Sequence, residues 1–301
     1  MLDPVDSSSR SFLLALDQLD RKLDRAQQQV SSGKRIQTAS DAPDQVSELL
    51  SVRGEIAQNQ QIQTNLASYK LETDVAANAL EQASSVMDSV KSLTSIALDG
   101  SLSATMQANL AQEVQAFMQD MVAIANTQAN GRYVFAGDTD THAPYALDLT
   151  QANGVSGYMG TTSTRQAQGP DGSTFDIAKD AQDIFDNGSA GASVFTALAN
   201  LRNAIWTNNS SVIQSALTGI QSAQDHIHTE SVFYGMAQNR ISKATDDAAA
   251  RDQQLQSHRG SLGDADITAS ILELQDAQFQ KQAALSARAK VPPTSLFDYI
   301  K

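Results

Sequence analysis

The chain has 301 residues, no cysteine, and 34 acidic against 21 basic side chains, a formal charge of −13. Without cysteine there is no disulfide scaffold, no thiolate metal site and no thiol nucleophile. The acidic balance argues against a non-specific nucleic-acid binder, which needs Lys and Arg to displace counterions from phosphates. The 41% hydrophobic fraction is rich in Ala and only 5% of residues are aromatic, a composition for long, thin, closely packed helices.

The chain opens Met1-Leu-Asp-Pro-Val-Asp6, acidic where a cleaved leader is basic, and its apolar run Phe12–Leu16 is short for a leader core. No cleaved secretory leader is expected. No stretch approaches the ~18 apolar residues of a membrane span. Phe12, Leu16, Leu19, Leu23, Ala26 and Val30 then recur at 4-3-4-3-4 spacing, a heptad seam. Ser31-Ser32-Gly33 reads as a helix stop. A restart follows, with Ser40 or Asp41 as cap and Pro43 in the first turn.

From there Ile62, Leu66, Tyr69, Ala76, Leu80, Ala83, Met87, Val90 and Ala97 share one register, with Thr73 and Thr94 in its gaps. Gly100 interrupts, and Leu110, Val114, Phe117, Met121 and Ile124 carry a further helix. No proline falls between 44 and 143 or between 171 and 291, so both windows are free to be helical.

The middle, about 136 to 200, differs. Gly137-Asp138, Asn153-Gly154, Asp171-Gly172 and Asn187-Gly188 are turn dipeptides. Short pieces with Tyr, Phe, Val, Thr and Ile lie between them and suit strands. Nine of the 16 glycines lie between Gly131 and Gly191, so turns punctuate this part while the flanks stay helical.

In the C-terminal flank, Ile220, Ala223, Ile227, Tyr234, Ala237, Ile241, Ala244, Ala248, Leu255 and Leu262 hold a heptad register broken only by Glu230, Arg251 and His258. Gly260 and Gly263 mark its end. A last amphipathic stretch runs through Ile267, Ile271, Leu272, Leu274 and Phe279 to Pro292-Pro293. Asp264 and Asp266 sit where a helix start favours acids.

The expected fold is mainly α: an elongated antiparallel helical bundle or coiled-coil rod built from both chain ends, with a small β-rich domain inserted in the middle. The expected divisions are 1–45 with 265–301 as terminal helices, 46–135 with 200–264 as the long-helix part, and 136–199 as the insertion.

No catalytic or metal constellation emerges. His226 and His228 are two apart and point ~200° apart on a helix. No third ligand has metal-site spacing near them. The Gly131–Gly137 stretch has its glycines in the wrong order for a phosphate loop. What is left is surface. The one-sided stripe Phe12, Leu16, Leu19, Leu23 fits either an ordinary buried helix face or an interface with other subunits. A short helix with such a seam is marginal alone in water, and both ends have that character, which favours packing between molecules.

The segment Leu16-Asp-Gln-Leu-Asp-Arg-Lys-Leu23, running into Val30-Ser-Ser-Gly-Lys-Arg-Ile36 and Ala39-Ser-Asp-Ala-Pro43, resembles the N-terminal signature of the bacterial flagellin family. Leu262-Gly-Asp-Ala-Asp266, the Gln-rich stretch after it, Val291-Pro292 and Ser295-Leu-Phe-Asp-Tyr-Ile300 are similar to that family's C-terminal region. Asn130-Gly-Arg-Tyr-Val-Phe-Ala-Gly137 is similar to the stretch that leads out of the helices in the hook–filament junction branch; the filament subunit itself is the alternative. A soluble helical adaptor would share the heptads but not these motifs.

The resemblance implies a secreted structural protein of the extracellular flagellum, not an enzyme and without cofactor. It implies export unfolded through the flagellar type III apparatus, with an export chaperone on the C-terminal helix, residues 265–301. Its partners would be itself and neighbouring axial proteins (another hook-associated protein and flagellin), with no nucleic acid and no membrane insertion. The terminal helices would be disordered in the monomer and form an inner layer on assembly. The implied subunit-interface residues are Phe12, Leu16, Leu19, Leu23, Val30, Ile267, Ile271, Leu274 and Phe279. The family-motif loop is Ser31, Ser32, Gly33, Arg35 and Ile36. The junction between helices and insertion is Gly131, Arg132, Tyr133, Phe135 and Gly137.

Overall fold

The structure, a computed structural model, describes residues 7–38, 40–98, 102–187 and 193–290. Ala39, Gly100 and the motif residues Val291 to Ile300 lie outside the described residues. The elements in chain order are α1 (Ser7–Ser32), α2 (Pro43–Ala97), α3 (Ala104–Ala125), β1 (Gln128–Ala129), β2 (Arg132–Tyr133), β3 (Gln166–Gln168), β4 (Thr174–Asp176), α4 (Ala181–Phe185), α5 (Val194–Thr207), α6 (Ser210–Gly263) and α7 (Ile267–Ala289). They form two compact units, residues 1–58 with 252–301 and residues 59–251. Both divisions lie about 13 residues inside the expected ones, and the expected insertion packs within the second unit.

In the second unit the buried stripes are the predicted ones. Leu66, Ala76, Leu80, Ala83, Met87, Val90 and Ala97 of α2 are buried, as are Ile220, Ala223, Ile227, Tyr234, Ala237, Ile241, Ala244 and Ala248 of α6. The two helices run antiparallel. Gln238 Nε2 donates to Asp74 Oδ1 at 2.8 Å, and Gln224 Nε2 to Asp88 Oδ1 at 2.6 Å, so one helix advances as the other retreats. Thr73 and Thr94 fill the seam without leaving a hydroxyl unpaired: each donates to its own helix, to Tyr69 O and Val90 O. Helices α3 and α5 complete the core with Val114, Met118, Met121, Leu198 and Leu201.

Two local features depart from the sequence reading. Helix α2 starts at Pro43, and neither Ser40 nor Asp41 caps it. The Asp41 carboxylate turns back instead, accepting from Gln37 N at 2.9 Å and Thr38 N at 2.7 Å, and these amides hold it below the usual carboxylate range. Pro43 opens the helix and has no N–H, so no donor needs satisfying at that position. The second departure is at 208. The expected long helix from 200 is two helices, because Asn208 adopts φ 49 and caps α5. Asn209 Oδ1 then accepts from Ser211 N at 3.0 Å, restarting the chain as α6.

The middle is less β-rich than its turns suggest. Among the described residues it holds one short antiparallel hairpin, β3–β4, and an isolated bridge between Leu147 and Val155; the other hairpin, β1–β2, precedes it. Most of its length is turn, with α4 and the start of α5 inside it. Its aromatics supply core rather than sheet: Phe135, Tyr145, Phe185 and Phe195 are fully buried, with Phe135 edge-on to Phe185 at 5.7 Å and to Tyr234 at 6.2 Å.

Candidate assembly interface

The family-motif loop is where the two ends of the chain meet, inside the first unit. Ser31 and Ser32 both donate to Gln28 O, closing α1 from within its last turn. Gly33 has φ 69 and donates to Gln29 O at 2.9 Å, so this position requires a residue that tolerates the left-handed region. The turn presents the next residues to the segment 262–265. Arg35 N donates to Gly263 O at 2.8 Å, and Ala265 N donates to Gly33 O at 3.0 Å. Arg35 Nη2 donates both to Gln45 Oε1, at 2.6 Å, and to Leu262 O. Ile36 is buried with Ala42, Leu49, Val46 and Leu262. Asp266 then caps α7, accepting from Ala269 N at 3.0 Å.

From this clasp α1 and α7 run back antiparallel against each other. Ser270 donates to Gln29 Oε1 at 3.2 Å, Lys281 pairs with Asp20 at 2.6 Å, and the Arg288 guanidinium lies 5.7 Å from the Phe12 ring centre. Phe12, Leu16, Leu19, Leu23 and Val30 are half-buried on the α1 seam, so the chain's own C-terminal helix covers much of the stripe. Of the residues expected in α7, only Leu274 lies on the inward side, with Ser270 and Ala277. Ile267, Ile271 and Phe279 are exposed, Phe279 by 72%. The physical reason is size. The inward face of α7 is Ser270, Leu274, Ala277, Lys281 and Ala284, and its small side chains admit the α1 leucines, leaving the largest apolar groups outside. Leu272 and Leu285 of α7 and Leu13 and Leu14 of α1 are exposed as well. Seven large apolar side chains of these two helices are thus exposed, Leu13, Leu14, Ile267, Ile271, Leu272, Phe279 and Leu285.

The predicted junction residues sit in the second unit. Asn130 (φ 52) and Gly131 (φ 76) make the two-residue turn between β1 and β2. Arg132 pairs with Asp140 at 3.1 Å, and Tyr133 N donates to Asp140 O at 2.9 Å. Phe135 drops into the core. Gly137 has φ 71, and a Cβ there would lie 1.6 Å from Thr161 O, so only glycine fits.

The sequence reading missed the two ion pairs that hold this segment to the long helices. Arg165 Nη1 donates to Glu72 Oε2 of α2 at 2.8 Å and its Nη2 to Gly137 O at 3.1 Å. Lys179 Nζ lies 2.6 Å from Glu230 Oε2 of α6. Glu230, which breaks the heptad, is 3% exposed; a buried acid in a seam is the signal that could have found the pair. His226 Nε2 donates to Asp183 O at 2.7 Å, and His258 lies 3.3 Å from Glu48. Among the described residues no His, Asp and Glu group could hold a metal, and no helix is long and apolar enough to cross a membrane.

Comparison with known proteins places this architecture. The chain is 24% identical over 300 residues to flagellar hook-associated protein 3 of Escherichia coli K12, covering 91% of this chain and 92% of that protein. Among solved structures it resembles flagellar hook-associated protein 3 of Legionella pneumophila, with TM-score 0.60, 15% identity and coverage of 70% of this chain and 98% of that one. It also resembles Bacillus cereus FlgL, with TM-score 0.56, 21% identity and coverage of 70% and 99%. At these identities the structures establish a shared fold. Residues 7–140 match the bacterial flagellin N-terminal helical region and residues 212–300 match the bacterial flagellin C-terminal helical region; with both regions present in order, the chain belongs to the bacterial flagellin family.

Proposed function

We propose that this protein is a structural subunit of the bacterial flagellum that joins hook to filament. The observation that carries the reading is the exposed apolar face of α7, Ile267, Ile271 and Phe279, on a helix clasped to α1 through the family-motif loop. Such a face is stabilised when a neighbour covers it. The name of the Escherichia coli relative, matched over nearly its full length, directs the choice to the junction rather than to the filament body.

In this reading the protein acts outside the cell, after export through the flagellar type III apparatus. The segments 1–45 and 265–301 dock on neighbouring subunits as an inner layer, and the clasp sets the position from which α1 and α7 leave it. The residues 46–135 and 200–264 form the surrounding layer, with the segment 136–199 outward. Neighbours are copies of itself, another hook-associated protein and flagellin. Before export a chaperone covers residues 265–301, because the α7 face is otherwise an aggregation hazard. The role is structural and needs no cofactor.

The test is complementation. A strain lacking its hook–filament junction subunit is supplied with this chain or with Phe279→Ser. Restored filaments with the parent chain, and filaments lost with the variant despite an unchanged melting temperature, support the reading. Filaments that persist with the variant, or no attachment by the parent chain, contradict it.

A further inference from the structure

Asparagine followed by glycine is chemically unstable, and the structure treats such dipeptides unequally. In Asn153-Gly154 the side-chain oxygen and the glycine amide are held. Asn153 Oδ1 accepts from Val155 N at 3.4 Å, Gly154 N donates to Gln151 O at 3.1 Å, and the Gly154 Cα is buried, with Met118 Cε filling the place of a Cβ at 2.1 Å. In the related Asp171-Gly172 turn, Ser173 N and Oγ both donate to Asp171 Oδ1, at 3.0 and 2.7 Å, and Gly172 N donates to Gly169 O at 3.1 Å. Asn130-Gly131 is different. Both residues are exposed, no hydrogen bond holds the Asn130 side chain among the described residues, and nothing lies within 4 Å of a Cβ at Gly131.

We infer that Asn130-Gly131 is a site of spontaneous deamidation, at which the folded chain accumulates isoaspartate faster than at Asn153-Gly154. Gly131 N attacks Asn130 Cγ. The Cγ–N bond to Gly131 forms, the Cγ–Nδ2 bond breaks, and ammonia leaves with the proton from Gly131 N. Water then adds to either carbonyl of the succinimide and opens one C–N bond, giving aspartate or isoaspartate at 130.

The attack requires the turn to leave its paired geometry, and little opposes that at its exposed tip; the backbone bonds from Tyr133 N to Asp140 O and Val134 N to Thr127 O, both 2.9 Å, lie beyond it. The β1–β2 ladder has two residue pairs, Gln128 with Tyr133 and Ala129 with Arg132. Two-stranded hairpins of that size are marginal alone, and its outer brace, Arg132–Asp140, has the arginine 69% exposed. Opening the 151–155 turn must instead withdraw Gly154 from Met118, itself fully buried. The product does not fit the closed turn. Isoaspartate lengthens the main chain by one methylene, and the two consecutive left-handed residues that this hairpin needs are lost. Once formed, the modification holds the turn open.

The test uses the full chain. It is incubated folded, and separately in denaturant, at mildly alkaline pH, and both dipeptides are followed by peptide mass mapping. Isoaspartate is counted by enzymatic methylation of its free carboxyl with labelled S-adenosylmethionine. In the folded chain Asn130 should convert about tenfold faster than Asn153, the ratio given by about 1.4 kcal/mol in opening free energy. In denaturant the two rates should converge. Equal rates in the folded chain, or conversion of Asn130 only in denaturant, overturns the inference.

Discussion

The Ala265 amide donates to the Gly33 carbonyl at 3.0 Å, tying the end of α1 to the start of α7 across nearly the whole sequence. The Arg35 amide answers in the opposite direction at Gly263 O. The motif Val-Ser-Ser-Gly-Lys-Arg-Ile thus has a physical reason. Two serines and a glycine end the helix, the arginine spans two acceptors and the isoleucine is buried.

Arg35→Ala removes a charged donor from Leu262 O and Gln45 and should cost about 1–3 kcal/mol. The effect should be local. Hydrogen exchange at the Arg35 and Ala265 amides should accelerate about tenfold or more, while the Tyr234 amide keeps its protection. Uniform acceleration throughout would place the arginine in global folding instead.

Glu230→Ala leaves Lys179 without its buried counter-ion. The loss should be about 2–4 kcal/mol, tempered because Lys179 is one-third exposed. Denaturant unfolding measures it. The double variant Lys179→Met with Glu230→Leu should recover much of the loss, since a buried pair often does no better than well-packed apolar groups.

Gly137→Ala forces a Cβ onto the Thr161 carbonyl at a left-handed backbone. It should destabilise by more than ~2 kcal/mol. Gly131→Ala, with the same sign of φ but open space around it, should cost about 1 kcal/mol. Thermal melts of the two variants separate collision from backbone strain.

Asp180 is 5% exposed and caps α4. Burial raises its carboxyl above the usual aspartate value, against the opposing hydrogen bond from Asp183 N. A folded-state value above the unfolded one means that folding takes up a proton, so ionisation penalises the native state at neutral pH. The penalty is lifted as pH falls through the folded value toward the unfolded one. Asp180→Asn, which still offers a cap oxygen, should raise the melting temperature at pH 7, and the gain should shrink toward pH ~4. A gain independent of pH would contradict the assignment.

The long helices were legible because heptad spacing maps directly onto burial. Leu66 to Ala97 and Ile220 to Ala248 line the core in the predicted register, and the break at Glu230 marked a real feature. Pairing between α1 and α7 was not legible in the same way. Its inward face is built on Ser270, Ala277 and Ala284, and hydrophobicity alone draws the eye to Ile267, Ile271 and Phe279, which are exposed. The stop at Asn208 was missed because Asn reaches the left-handed region with no Gly or Pro nearby. In the middle, turn dipeptides marked turns and the pieces between them suited strands, yet Tyr145, Phe185 and Phe195 pack into the helical core rather than into sheets.

The central claim is that this chain joins two other assemblies and does not itself polymerise into a filament. Purified protein, concentrated with and without filament seeds and also added to hooks lacking their junction subunit, can be followed by negative-stain electron microscopy. The account predicts no filaments from this protein alone and restored attachment of filaments to the hooks. Long filaments grown from this protein alone would make it a filament subunit and contradict the claim.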